Sequence, residues 1–176
     1  MTRRRAMRGF VTGLFLAFLP VAIGLSGEIP NRLPQARVGE WLLFQDVSGE
    51  RSGEYTRFSI VDIKGEGDDK VLILRIEKLA GAEDGGDDVR DIEIRPSGFA
   101  GRIAELEKKA TQITRGALTV RDSELDVVEV AFTDDDGVRE FRLWVSDSAP
   151  IGGLVKTWCS DPDFPAAELV DYGFQP

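Results

Sequence analysis

From Val38 onward the chain reads as short runs of alternating apolar and polar residues, most of them closed by glycine, serine or clustered acids. A period of two puts successive side chains on opposite faces of a strand. Turn-bounded runs of this kind, rich in β-branched and aromatic residues, predict an antiparallel meander. Trp41 to Asp46 (WLLFQD) is the first run, ended by Ser48-Gly49-Glu50. Glu54 to Lys64 (EYTRFSIVDIK) is the second, and its alternation slips near Ile60-Val61, which predicts a bulge. Gly65 to Asp69 turns the chain into Lys70 to Leu79, and the glycine- and acid-rich loop Gly81 to Asp88 leads into Val89 to Ile94. Ala117 to Arg121, Leu125 to Phe132, Val138 to Ser146, Leu154 to Cys159 and Ala167 to Tyr172 complete nine predicted strands. Asp134-Asp135-Asp136-Gly137 reads as a hairpin turn, Asp-Gly supplying the positive φ angles such turns need.

One segment has a different period. Phe99, Ile103, Leu106 and Ala110 recur at helical spacing, and Glu105 stands four residues before Lys109. With Ser97 as the capping residue, Gly98 to Ala110 is the predicted helix. Its single apolar stripe needs a sheet to pack on. Several strands look apolar on both faces: Val71, Ile73 and Leu79 oppose Leu72, Leu74 and Ile76, while Val127 and Ala131 oppose Val128, Val130 and Phe132. A sheet with one wetted face alternates more cleanly, and one short helix cannot cover nine strands. The expected fold is therefore mainly β with one helix (α+β). Its sheet is a strongly curved antiparallel one, a half-barrel or barrel, with the helix packed on the concave face.

The N-terminus changes the picture. Arg3, Arg4, Arg5 and Arg8 precede an apolar stretch from Phe10 to Leu25, and small residues follow (Ala22 and Gly24, or Gly24 and Ser26). This is the layout of an export signal over residues 1–27. The apolar stretch is 16 residues long and broken by Pro20, whereas a spanning helix needs roughly 20. Cleavage is expected, with no stable membrane insertion afterwards. Thr2-Arg3-Arg4 fits the opening of a twin-arginine signal, although Ala6 stands where that pattern favours a large apolar residue. A lipoprotein signal needs a cysteine just after the apolar stretch, and the sole cysteine is Cys159. Residues 28–37 (EIPNRLPQAR for Glu28 to Arg37) read as a linker, and 38–176 as one β-rich domain. The expected location is periplasmic or secreted.

Loss of the leader would leave 18 basic residues against 31 acidic ones, a net charge of −13. So acidic a surface repels phosphate backbones, and no nucleic acid is expected as a partner. The chain has no histidine, which removes Ser-His-Asp and Cys-His catalysis and every imidazole metal site. The acid clusters (Glu66, Asp68 and Asp69; Glu83, Asp84, Asp87 and Asp88; Asp134 to Asp136) lack EF-hand spacing and read as solvated turns, so no metal ligands are assigned. Glu129, inside an apolar strand, is the one acid expected to be partly buried, unless it faces an arginine across the sheet. Ser146, Ser148 and Lys156 are joined by no catalytic spacing. No catalytic residue and no cofactor is assigned. Cys159 reads as a buried thiol within a strand.

The aromatic residues are more informative. Trp41, Phe44, Tyr55, Phe58, Trp144 and Trp158 all fall in predicted strands. Filled core is the common fate of such side chains, but a curved sheet can leave some lining an open apolar pocket. With Phe99 and Ile103 of the helix they form the set of ligand-pocket candidates.

The runs Val38-Gly39-Glu40-Trp41, Leu143 to Lys156 (LWVSDSAPIGGLVK) and Glu168 to Gly173 (ELVDYG) resemble uncharacterised exported bacterial β-rich proteins. In these a strand, a proline-glycine crossing and a final strand recur. In architecture the chain is similar to periplasmic lipoprotein-carrier half-barrels, which shelter acyl chains. The resemblance implies a non-catalytic binding module for an apolar small molecule or lipid-like ligand. The alternative is an interaction or structural subunit of an envelope assembly, with an envelope protein as partner.

Overall fold

Alternation sets the strands. The computed structural model describes residues 29–48, 52–81, 88–164 and 166–176. The leader at 1–27 lies outside the described residues, as do Gly49, Glu50, Glu83, Asp84 and Asp87 of the two expected turns. Nine strands form: β1 (Glu40–Asp46), β2 (Tyr55–Lys64), β3 (Val71–Leu79), β4 (Asp88–Ile94), β5 (Ala110–Val120), β6 (Ser123–Thr133), β7 (Glu140–Val145), β8 (Leu154–Cys159) and β9 (Ala167–Phe174). One α-helix, α1 (Pro96–Lys109), separates β4 from β5. Among the described residues the fold is mostly β with one α-helix.

All nine strands belong to one antiparallel sheet in the order β4-β3-β2-β1-β9-β8-β7-β6-β5. It consists of two meanders, β1 to β4 and β5 to β9, joined at the middle where β1 pairs with β9. The edges β4 and β5 do not pair with each other, so the sheet is open and the barrel alternative is not realised. The expected bulge in β2 is present as a register shift between Ile60 and Asp62.

Cross-strand rows build the core. Leu42 lies opposite Phe58, which lies opposite Ile76. Ile60, Leu74 and Ile92 form the next row. Phe44 and Phe58 meet edge to face at 5.9 Å. In the other meander Val130 is opposite Leu143, and Phe132 stacks on Phe141 at 5.4 Å. The expectation of two apolar faces in β3 does not hold, because Val71 and Ile73 are only half-buried whereas Leu72, Leu74 and Ile76 are fully buried. β7 buries every second residue, as do β2 from Tyr55 to Ile60 and β3 from Val71 to Ile76, while Leu79 is buried at the end of β3.

In β6 the second apolar set has a different cause. β7 pairs only with Val128 to Thr133 of β6. The distal half of the β5–β6 hairpin therefore runs on as a two-stranded arm. That arm buries Val120, Leu125 and Val127 in the same cluster as Leu42 and Leu169. At its tip Arg121, at φ +52°, forms an ion pair with Asp171 of β9.

α1 starts two residues earlier than expected. Pro96 takes the first helical position, where its missing N–H is no loss. The Ser97 hydroxyl donates to the Asp68 carbonyl (3.2 Å) instead of capping the helix. Residues 29–37 are packed into the domain rather than linking to it: Ile29, Leu33 and Ala36 are buried. The Ile29 amide donates to Glu107 of α1 (3.0 Å), and Lys70 donates to the carbonyls of Pro34 (2.8 Å) and Ala36 (3.1 Å). Proline removes donors from this stretch, so it forms no strand, yet its apolar residues still find the core. Among the described residues, no helix is long and apolar enough to cross a membrane.

Candidate functional site

α1 does not seal onto the sheet. Of its fourteen residues only Pro96 is buried. Phe99, Ile103 and Leu106, the apolar stripe, are each half-buried. A cavity of about 70 Å³ lies beneath them and opens to solvent. Its floor is Leu143, Val145 and Leu154 of β7 and β8, with Ile94 at the end of β4. Ile29, Pro30 and Leu33 wall one side, and Ile151 and Gly152 of the β7–β8 crossing close another. Among the described residues, Arg102 is the sole charged one in the lining.

The crossing is a strained piece of backbone. Ile151, Gly152 and Gly153 have φ angles of +47°, +81° and +82° in succession. Glycine adopts such angles freely, but a β-branched residue there is an outlier that its surroundings must hold in place. Ile151 is buried, and its amide donates to the Glu40 carboxylate (3.4 Å), itself buried at the start of β1. At Gly153 any Cβ would collide with the Ser146 carbonyl, and the Ser146 amide donates to the Gly153 carbonyl (2.8 Å). Strain of this sort clusters at ligand sites, and here it presses Ile151 and Gly152 against the cavity.

Of the eight residues expected to line a pocket, Phe99 and Ile103 do so. Phe44 and Phe58 are filled core. Trp144 is half-buried and packs against the cluster that holds Leu42 and Val127, and each tryptophan has a cation over its ring: Arg57 stands 4.8 Å from Trp41, Lys156 5.4 Å from Trp144, and Arg142 5.6 Å from Trp158. Such pairs suit half-exposed rings, which gain electrostatic contact without desolvating the cation. Tyr55 is half-buried at the start of β2, opposite Gln45 and Leu79. Among the described residues, the cavity thus brings together the helix members of the expected set and none of its strand members. The missed residues include Ile29, Leu33, Arg102 and Ile151. Arg102 had a signal: with Phe99, Ile103 and Leu106 it completes the i, i+3, i+4, i+7 stripe, an arginine on an apolar face.

Glu129 accepts from Arg142 (3.2 Å), and Lys109 reaches Asp135 (2.6 Å). Among the described residues, no three acids or thiols converge where a metal ion would sit. No family model matches the chain, and no curated protein matches it.

Proposed function

We propose that the chain is an exported, non-catalytic binding module of the periplasm that holds an apolar or lipid-like ligand between α1 and a curved sheet. The observation that carries this reading is the half-buried stripe of α1 facing an apolar cavity. A helix docked only for stability would bury that stripe. The enclosed space is well below the roughly 300–1,000 Å³ of drug-sized sites. It takes the end of a chain or a small ring, and a longer ligand enters as α1 lifts.

Chain length supports curvature. The nine strands at about 4.8 Å spacing would put β4 and β5 ~38 Å apart in a flat sheet. Only Arg95 and α1 connect them, and fourteen helical residues reach about 21 Å. A sheet bent around α1, as in a half-barrel, reconciles the two lengths. The missing histidine and the ion-paired acids support a non-catalytic role.

Native mass spectrometry of protein purified gently from the envelope tests this. A lipid-sized mass adduct is expected. A bare protein whose melting temperature is unmoved by any amphiphile overturns the reading. One observation favours a second reading, an envelope interaction subunit: β5 offers eleven residues of edge with no outer neighbour. The other edge is blunted by Asp88, Arg90, Asp91 and Glu93. Co-purification of a stable partner, abolished by charges on β5, would support that alternative.

A further inference from the structure

We infer that the ligand is an amphipathic monocarboxylate, with its chain in the cavity and its head on Arg102. This rests on the binding reading above and specifies its chemistry. Arg102 stands on the apolar stripe between Phe99 and Leu106, half-buried, and lines the cavity. Among the described residues its guanidinium makes no hydrogen bond or ion pair. Glu107, one turn further along, is occupied by the Ile29 amide. A cation beside apolar walls with no protein partner leaves its donors to water, which a ligand anion can replace. A ligand that brings one negative charge and an apolar chain satisfies both at once.

The charge count selects the head group. A single guanidinium matches a single carboxylate in a planar, two-point contact. A phosphate monoester would carry further negative charge into a chain already at −9 or beyond. A neutral alcohol would leave Arg102 as it is. The cavity is also lined by Ile103, Leu106 and Leu143, so among the described residues a straight alkyl chain finds apolar side chains past the arginine.

The test is calorimetric titration of the purified chain at pH 7 with octanoate and with octan-1-ol, repeated on Arg102→Gln and Arg102→Lys. Octanoate is expected to bind at least ten-fold more tightly than octan-1-ol. Arg102→Gln should weaken octanoate about ten-fold and leave octan-1-ol within two-fold, and Arg102→Lys should recover part of the loss. Equal binding of both probes, unchanged in Arg102→Gln, overturns the carboxylate assignment and leaves the apolar cavity standing. Binding of neither probe overturns the cavity reading itself.

Discussion

At the scale of single residues, burial and hydrogen bonding decide what the polar groups do. Burial pushes the Cys159 thiol above its ordinary value, while the Asp161 amide, donating to Sγ (3.4 Å), acts the other way. Less thiolate at a given pH means slower alkylation. Iodoacetamide at pH 8 should therefore label the native chain many-fold more slowly than the urea-unfolded one, read by mass spectrometry. Asp134 is the opposite case. The Val138 amide donating to its carboxylate, with help from the Arg139 amide and charge, holds it below the usual carboxylate range. Its folded value lies below its unfolded one, so its stabilisation is present above the unfolded value and is lost as pH falls through the folded one. Asp134→Asn should lower the melting temperature at pH 7, and the gap from the parent should narrow as pH falls below the ordinary aspartate range. A gap that stays constant through acid titration would refute this account. Both residues show what sequence can and cannot tell: the Asp134 turn was legible from Asp-Gly, whereas the cation over each tryptophan was not, because cross-strand neighbours depend on register.

At the scale of elements, periodicity located all nine strands and the helix, and local chemistry moved their ends. β5 was read only from Ala117, yet it begins at Ala110. Its first half (ATQITRG) is an exposed edge with no need of apolar alternation, so it left no pattern to read. The apolar residues of the β5–β6 arm misled differently. They read as the second face of a sheet strand, whereas they lie in a two-stranded extension that packs back on the core. Leu125 is 3% exposed there, so Leu125→Ala should cost about 2–4 kcal/mol. It should also speed amide exchange across the arm more than in β2 and β3. Val138, 78% exposed beside the next turn, is the control, and Val138→Ala should stay within about 0.5 kcal/mol. The cavity is an element-scale feature as well. The sequence supplied its helix stripe, but its walls come from a proline-bearing segment and a strained crossing, neither of which has a period.

At the scale of the whole molecule, charge and connectivity matter most. With 31 acids against 22 bases the chain repels itself, and salt screens that repulsion. Raising sodium chloride from 10 to 150 mM should therefore increase the melting temperature by a few degrees. A decrease would mean that the cross-strand ion pairs, such as Arg75 with Asp91 at 2.9 Å, outweigh the net charge. Connectivity has a further consequence, one of timing. The strand pairing that unites the two meanders joins β1 to β9, the first strand of the sheet to its last. On a ribosome, or emerging through any pore with the N-terminus leading, β1 to β4 can form hairpins early. The central seam must wait until β9 is free, and until then β1 shows an unsatisfied edge on the side where β9 will dock. The long interval between those two strands is when this chain is most open to wrong partners, and when an escort protein would have the most to gain by holding it.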